Sequence, residues 1–506
     1  MFGTHDGKQI TLDGRRRHAA AGALDGDANC DVAVVGSGIA GTSTAYELSQ
    51  RGRSVIVIDR KRIAGGMTSR TSAHLAPLCD DLMSELKKIR KAEAARLFYE
   101  SQAAAVDRIE AIQKAEGIEC DFRRLDGYLF QGRGMPADVI DKELEAVREV
   151  GAPVHRLVGI PLNGCERCHV LRYPRQAAFH PLKYLAGVAK ACHERGVSFY
   201  ADSPVVEVSE GGGGVVVKTA RGTVRAAHAV VATNASISDR FALHTKAAPY
   251  RTYVATFEIE RGALPDALYW DTEDPYHYVR LQPGPGRSDF LLVGGEDHKS
   301  GEADDAGKRL ARLQAWAREL FPGLGAVTHE WSGQVLETID YAGFIGRDPG
   351  SELIYVAMGD SGQGLTHGVM GAMLNASLIS GEQNPWADLY SPGRTPLEAA
   401  KNYITENLTA LKNLSEYLAP GELSSLDELK AGKGAIIRQG LEKLAAYRDI
   451  SGELYLHSAA CTHVGCHLHW NSFETCWDCP CHGSMFDTGG QPINAPAIGP
   501  LAKIER

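Results

Sequence analysis

Two short clusters of cysteine and histidine lie near the C-terminus of this 506-residue chain. They read Cys461-Thr-His463-Val-Gly-Cys466 and Cys479-Pro-Cys481-His482-Gly-Ser484, with twelve residues between them. Thiolate and imidazole groups bind both zinc and iron–sulfur clusters. A zinc site usually takes like ligands in CxxC pairs, whereas each cluster here offers one cysteine, one histidine and a spare cysteine. The pattern therefore predicts a metal centre, and it favours iron–sulfur over zinc.

A glycine-rich turn near the N-terminus indicates a second kind of chemistry, the binding of a dinucleotide. Residues 31–35 form an apolar run that predicts a buried parallel strand. Gly36-Ser-Gly38-Ile-Ala-Gly41 follows directly, residues 42–51 predict a helix, and a second apolar run at 54–58 leads to Asp59. This is the order of elements in a βαβ nucleotide-binding unit.

Each of these residue types has a physical role in such a unit. Gly36 allows the tight turn, Gly38 lets the backbone approach a pyrophosphate, and Gly41 lets the helix pack on the strand. The helix N-terminus attracts phosphate, and Asp59 is placed to bond a ribose hydroxyl. The motif alone leaves FAD and NAD both open.

A third cysteine motif, Cys165-Glu-Arg-Cys168-His169, matches the attachment signature of c-type haem. Five residues match by chance fairly often, and no export signal accompanies them. We interpret Cys165 and Cys168 as a pair of ordinary loop thiols, with covalent haem as the alternative.

The composition excludes several classes of function. The net charge is −9 and there is no long basic run, so we expect no nucleic-acid partner. No stretch of 18 apolar residues is present, so no transmembrane segment is predicted. Three arginines at 15–17 lack a following apolar run and make a poor export signal. We therefore expect a cytoplasmic protein with residues 1–29 as a surface lead-in.

The two C-terminal clusters resemble the two boxes of a Rieske iron–sulfur protein. In that family one iron of a [2Fe-2S] cluster takes two cysteines and the other takes two histidines. The resemblance implies Cys461, His463, Cys479 and His482 as ligands, a disulfide between Cys466 and Cys481, and a hydrogen bond from Ser484 to a cluster sulfur. Phe486 stands where high-potential members carry a tyrosine. Residues 495–501 resemble the proline loop that covers the cluster.

Two segments further along resemble FAD-dependent oxidoreductases of the D-amino-acid-oxidase type. Residues 230–235 resemble the second turn near the nucleotide, and residues 354–368 resemble the glycine-rich motif that closes FAD sites. Together with a C-terminal Rieske domain, this order of domains resembles bacterial proteins related to gamma-glutamylputrescine-type oxidases. The implied FAD contacts are Gly36, Gly38, Gly41, Asp59, Arg60, Thr68, Val206, Thr233, Gly359, Asp360, Gly362, Gly364, Leu365 and Thr366.

The resemblance implies an α/β Rossmann-like FAD-binding domain with an α+β substrate domain, followed by a small all-β Rieske domain. We expect the flavoprotein over 30–385, with FAD-binding parts at about 30–75, 180–245 and 340–385 and the substrate sheet at about 246–340. A helical linker is predicted over 386–432 and the Rieske domain over 433–506. Charged, helically spaced segments near 80–118 and 136–151 are predicted helices.

The expected function is oxidation of a small amine or amino acid at a C–N bond, by hydride transfer to FAD. Single electrons would then pass through the [2Fe-2S] cluster to an unknown acceptor. Catalytic candidates are Tyr253, Tyr278 and Arg280 on predicted sheet strands, with ordinary packing as the alternative for each. A covalent flavin link at His74 is a further hypothesis. The alternative functions are a reductase-like protein that feeds a separate oxygenase, and a redox sensor.

Overall fold

The computed structural model describes residues 21–237, 243–395, 399, 413, 416, 420–440 and 442–505. Within these residues the chain forms seven α-helices. They are α1 (Ile39–Gln50), α2 (Met83–Ala115), α3 (Asp138–Glu149), α4 (Pro181–Glu194), α5 (Ala306–Leu320), α6 (Gly364–Ile379) and α7 (Ala387–Tyr390). α2 is interrupted at Lys91, which has a φ of +66°.

The described residues also form 24 strands. Those of the flavoprotein part are β1 (Ala28–Val35), β2 (Val55–Ile58), β3 (His74–Leu75), β4 (Arg123–Phe130), β5 (His155–Val158), β6 (His169–Ala178), β7 (Ser198–Tyr200), β8 (Val205–Gly211), β9 (Gly214–Thr219), β10 (Thr223–Asn234), β11 (Ala247–Glu260), β12 (Leu268–Asp271), β13 (His277–Pro283), β14 (Ser288–Lys299), β15 (Val327–Thr338), β16 (Phe344–Arg347) and β17 (Ile354–Met358). Those of the C-terminal part are β18 (Lys433–Gln439), β19 (Glu442–Arg448), β20 (Leu454–Ser458), β21 (His469–Asn471), β22 (Cys476–Asp478), β23 (Met485–Phe486) and β24 (Pro492–Asn494).

The first sheet is a doubly covered, mostly parallel sheet in the order β16-β17-β10-β1-β2-β7, with the β8–β9 hairpin attached to β10. The central strand β1 has apolar side chains on both faces, since helices cover one face and the hairpin covers the other. Val32 and Val34 pack with the helices α1 and α6, whereas Ala33 and Val35 pack on the opposite side with the hairpin. The predicted Rossmann-like fold is confirmed.

The second sheet has nine strands, in the order β15-β11-β14-β13-β12-β4-β6-β3 with β5 paired to β6. The predicted substrate sheet over 246–340 was therefore too narrow, because β3 to β6 also belong to it. β4 gave no clear strand pattern because Arg123 and Arg124 open it, and both are held in ion pairs with Asp266 and Glu110. The sheet region also contains helix α5, which the β-rich pattern did not predict.

The C-terminal part forms two small antiparallel sheets, β18-β19-β20 and β21-β22-β23-β24. It packs on the nine-stranded sheet through buried ion pairs. Arg251 on β11 donates to Asp478 on β22 at 2.8 Å, and both side chains are nearly inaccessible to solvent. Arg70 donates to Glu474 at 2.8 Å. These pairs fix the orientation of the small sheets on the large one.

Some predicted segments lie outside the described residues. These are residues 1–20 of the lead-in and most of residues 396–419 in the helical linker predicted over 386–432. In the part of the chain that the structure describes, no helix combines the length and apolar character needed to cross a membrane.

Candidate functional site

A cavity of about 340 Å³ lies between the two large sheets. One end of the cavity is formed by the turn between β1 and α1. Gly36 has a φ of +99°, and a Cβ at this position would lie 2.5 Å from the carbonyl oxygen of Ala232. A Cβ at Gly41 would lie 1.9 Å from the carbonyl oxygen of Gly36. Both glycines are therefore required by the close approach of backbones, as in a pyrophosphate cradle.

Asp59 lies at the end of β2 and lines the same end of the cavity. Its carboxylate accepts hydrogen bonds from the Ser37 backbone at 2.8 Å and from the Ser37 hydroxyl at 2.5 Å. Thr68 lines the cavity as well, and its hydroxyl accepts from the backbone of Ile39 at 3.1 Å. The strand, turn, helix and acid thus meet as a dinucleotide site requires.

Residues 230–235 and 354–368, the two segments that resemble FAD-dependent oxidoreductases, close the cavity from the side of β10 and β17. Asp360 accepts from Asn234 at 3.1 Å and from the backbone of Leu336 at 2.9 Å, which joins β10, β15 and the β17–α6 turn. Gly359 and Gly362 have positive φ values of +72° and +76°. Of the implied FAD contacts, all but Gly41 and Val206 line the cavity.

Val206 is a correction to the predicted contacts. Its side chain is 45% exposed on β8, and its neighbour Val205 lines the cavity instead. Successive side chains on a strand point to opposite faces, so a one-residue error in register exchanges an inward residue for an outward one.

The other end of the cavity lies against the nine-stranded sheet. Its wall contains Thr252, Trp270, Tyr276 and Tyr278, with His74 at the side. The hydroxyls of Thr252 and Tyr278 lie 3.1 Å apart. His74 packs edge-on to Tyr278 at 5.4 Å, and burial lowers its pKa to about 3, which keeps the ring neutral.

Two of the three catalytic candidates do not reach this wall. Tyr253 points to the opposite face of β11, where its hydroxyl lies 3.1 Å from His298. Arg280 is completely buried beside the cavity, where it donates to the carbonyl oxygen of Ser72 and to Gln282 at 2.9 Å. Tyr278 alone of the three lines the cavity.

Two carboxylates that the sequence reasoning did not select also line this end. Asp80 accepts from the Tyr276 hydroxyl at 2.6 Å, and burial raises the pKa of Asp80 to about 6. Asp297 follows the Gly294-Gly295 pair on β14, and burial raises its pKa to about 7. The sequence gives no signal for Asp297, because a lone aspartate in a strand has no characteristic spacing.

The C-terminal clusters come together in two facing loops of the small sheets. Cys461 and Cys479 are buried and share a hydrogen bond, which together with backbone N–H donors lowers the pKa of Cys461 to about 7. The rings of His463 and His482 lie 5.1 Å apart. Nδ1 of His482 is buried and makes no hydrogen bond with the described residues. Two thiols and two imidazoles in this arrangement fit the ligand set of a [2Fe-2S] cluster.

The structure joins Cys466 and Cys481 by a disulfide between the two loops. The Ser484 hydroxyl accepts from the backbone of Ala497 at 3.0 Å and hydrogen-bonds the Cys461 sulfur. Phe486 is completely buried in the same apolar cluster as both ligand-type cysteines. By contrast, Cys165 and Cys168 lie in a loop far from both sites in sequence and do not line the cavity.

The two sites are contiguous. Ile493, Asn494 and Ala495, from the small sheets, line the cavity. Asn494 donates to the side-chain oxygen of Gln334, which also lines the cavity, and to the carbonyl oxygen of Gly483 at 3.3 Å. Gly483 lies between His482 and Ser484.

His244 forms a second contact between the two parts. It lies in the short helix Leu243–Lys246, and its ring is 4.3 Å from His463 and 4.6 Å from His482. Neither His244 nor Gln334 belongs to a sequence motif, so only the packing of the two parts reveals them.

Comparison with known proteins agrees with this geometry. The family described as FAD dependent oxidoreductase (DAO) matches residues 31–378, and the Rieske [2Fe-2S] domain family matches residues 421–505. The Rieske 2Fe-2S iron-sulfur protein YhfW of Bacillus subtilis is 29% identical over 491 residues, covering 96% of this chain and 95% of its own length.

Two further relatives cover the flavoprotein part. Gamma-glutamylputrescine oxidoreductase of Escherichia coli is 26% identical over 388 residues, covering 72% of this chain and 87% of its own length. The solved glycine oxidase from Geobacillus kaustophilus superposes with a TM-score of 0.63 at 20% identity, covering 73% of this chain and 99% of that one. With its Gly36–Gly41 turn in an FAD cavity and its paired cysteine and histidine loops beside it, the chain belongs to the DAO family of FAD-dependent oxidoreductases and carries a Rieske [2Fe-2S] domain at its C-terminal end.

Proposed function

We propose that this protein oxidises a small amine or amino acid at a C–N bond with FAD and relays the electrons singly through the [2Fe-2S] cluster. The observation that carries the proposal is the shared wall: residues of the Rieske domain line the same cavity as the FAD-binding glycines. FAD supplies hydride acceptance and the cluster supplies one-electron transfer.

The chain's own residues hold the two sites next to each other. The buried pairs Arg251–Asp478 and Arg70–Glu474 dock the Rieske domain, and Asn494 bonds both Gln334 of the cavity and Gly483 of the cluster loop. Such contacts support electron transfer within one chain, without movement of the domain. Cys461, His463, Cys479 and His482 are the proposed ligands.

At the opposite end of the cavity the residues suit a bound amine. Tyr276, Tyr278 and Trp270 present aromatic surfaces, and neutral His74 lies beside Tyr278. Tyr278 and Thr252 supply hydroxyls that orient the substrate, and the surrounding sheet excludes water from the reacting C–N bond.

The test is anaerobic mixing of the purified holoprotein with a panel of amines and amino acids. We expect bleaching of the flavin absorption, followed by the electron paramagnetic resonance signal of a reduced Rieske cluster. His482→Ala should keep substrate-dependent bleaching and lose the cluster signal, since the sites lie in separate domains. Rapid reduction by NADH, with no response to any amine or amino acid, would replace this proposal with the reductase-like alternative.

A further inference from the structure

We infer that the substrate is a cationic amine with no carboxylate on the reacting carbon, and that Asp297 binds its ammonium group. The inference rests on the proposed function, because it assigns the substrate class of the same cavity. The proposed function includes both amines and amino acids as substrates, and the inference chooses between these two classes.

The first observation is an unsatisfied carboxylate oxygen. Oδ1 of Asp297 is buried and has no hydrogen-bond partner among the described residues, although Asp297 lines the cavity. The carboxylate also accepts from the Thr252 hydroxyl, which in turn lies 3.1 Å from the Tyr278 hydroxyl. A buried carboxylate is normally paired, so a free oxygen facing a cavity indicates a cationic or hydrogen-bond-donating ligand.

The second observation is the sign of the charges around it. Asp80 lines the cavity nearby, and Asp81 and Glu337 lie close enough to add negative charge to the same region. Burial raises the pKa of both Asp80 and Asp297, and the nearby Asp80 and Asp81 raise that of Asp297 further, against an opposing effect of His277. Because the ionisable groups next to Asp297 are mainly acidic, this end of the cavity favours a cation over a carboxylate.

The third observation concerns the cations that do line the cavity. These are Arg60, Lys61 and Arg70 among the described residues. Arg60 and Lys61 follow Asp59 at the nucleotide end, and Arg70 is bound to Glu474 and to the carbonyl oxygen of Ser332. None of these three cationic side chains is therefore placed to bind a substrate carboxylate next to Asp297.

Arg280 does not fill that role either. Its guanidinium donates to the carbonyl oxygens of Ser72 and Leu281. Nη2 of Arg280 has no hydrogen-bond partner among the described residues, but Arg280 does not line the cavity, so this group is not exposed to a ligand there. The aromatic rings of Trp270, Tyr276 and Tyr278 complete the wall, and such faces attract ammonium groups. Tyr278 lies directly over Gly294, where a Cβ would be 2.1 Å from the ring.

Two probes without a hydrogen on the reacting carbon separate binding from oxidation. tert-Butylamine and 2-aminoisobutyrate differ only in the exchange of a methyl group for a carboxylate, and neither can transfer a hydride. Binding to the full-length holoprotein is followed by perturbation of the flavin absorption. We expect tert-butylamine to bind and 2-aminoisobutyrate not to bind over the same concentration range.

Asp297→Asn should weaken the binding of tert-butylamine by roughly tenfold to a hundredfold, the range for losing one charge-assisted hydrogen bond. Asp289→Asn, at the other end of the same strand and outside the cavity, is the matched control and should leave binding unchanged. Flavin content and the Rieske spectrum report whether each variant is folded.

Equal or tighter binding of 2-aminoisobutyrate by the unmodified protein would overturn the inference, whatever the variants do. Unchanged affinity for tert-butylamine in folded Asp297→Asn would overturn the role of Asp297. If tert-butylamine binds but no oxidisable amine bleaches the flavin, the proposed function fails while the assignment of a cation site stands.

Discussion

At the scale of single residues, Ser484 and Phe486 are placed to affect the reduction potential of the [2Fe-2S] cluster. The Ser484 hydroxyl is bound between the Cys461 sulfur and the backbone of Ala497, so its direction is fixed. Phe486 offers no comparable donor, although it is buried in the same cluster of side chains. A hydrogen bond to a cluster sulfur stabilises the reduced state, because reduction adds negative charge there.

Ser484→Ala should therefore lower the reduction potential of the cluster, by roughly 60–130 mV at most. A hydrogen bond to a charged group contributes about 1.5–3 kcal/mol, and for one electron about 59 mV corresponds to about 1.4 kcal/mol. Phe486→Tyr should raise the potential. Film voltammetry of the full-length protein measures both. An unchanged potential in Ser484→Ala would show that this hydroxyl does not act on the cluster.

Gly41→Ala tests the nucleotide end of the cavity. The added Cβ would lie 1.9 Å from a backbone oxygen of the Gly36 turn, so the turn must shift. We expect the variant to lose FAD on dialysis while its Rieske spectrum remains. Gly307→Ala is the control, because a Cβ there meets no atom within 4 Å. Retention of FAD equal to that of the control would contradict the assigned role of the turn.

At the scale of elements, buried charges join segments that are distant in the chain. Asp340, which follows β15, is inaccessible to solvent and pairs with Arg394 at 2.8 Å and with Arg90 of α2. Burial alone would raise the pKa of Asp340, but the two arginines outweigh it and hold the pKa below its usual value. The aspartate thus fastens α2, β15 and the segment after α7 together.

Asp340→Asn should destabilise the fold by about 3–5 kcal/mol, since it leaves two buried arginines unpaired. The pKa of Asp340 is depressed in the folded state, so its contribution is complete above its unfolded pKa of about 3.9 and is lost as the pH falls through the lower folded value. The difference in unfolding free energy between variant and parent should accordingly be largest near neutral pH. Glu194→Gln, which breaks the exposed pair with Lys190, should have little effect on the free energy of unfolding. Equal effects of the two variants would contradict this.

The sequence predicted those elements whose structural and functional residues are contiguous in the chain. The apolar run of β1, the glycines of the turn and Asp59 are contiguous, so their βαβ order could be read directly. β4 and β6 could not be assigned to the second sheet, because their neighbours are fixed by long-range pairing with β12 and β3. Helix α5 was missed because it interrupts a region rich in strands.

At the scale of the whole molecule, the two cofactor sites depend on one interface. Arg251 of the large sheet and Asp478 beside the cluster loop are both buried, and their pairing holds the Rieske domain against the FAD cavity. No local sequence pattern marks this pair or the contacts of His244, Gln334 and Asn494. The candidate site could be predicted within each domain, but its assembly between domains could not.

Arg251→Leu should loosen the interface, because Asp478 would remain buried without its partner. We expect a longer delay between flavin bleaching and the appearance of the reduced-cluster signal. Arg261→Leu removes a half-exposed arginine directly after β11, whose partner is Asp289, and serves as the control. An unchanged delay in Arg251→Leu, with both cofactors present, would show that this pair does not set the distance between the sites.

The shared wall also has a consequence for how the protein is assembled. Ile493, Asn494 and Ala495 complete the FAD cavity, although they are distant in sequence from the Gly36 turn at its other end. The nucleotide can enter from that side only while the Rieske domain is undocked, and afterwards it can leave there only if the domain lifts away. When the docking pairs Arg251–Asp478 and Arg70–Glu474 are broken, FAD should therefore exchange more readily with the surrounding pool. Retention of the flavin is in this way linked to the docking of a domain that does not itself bind it.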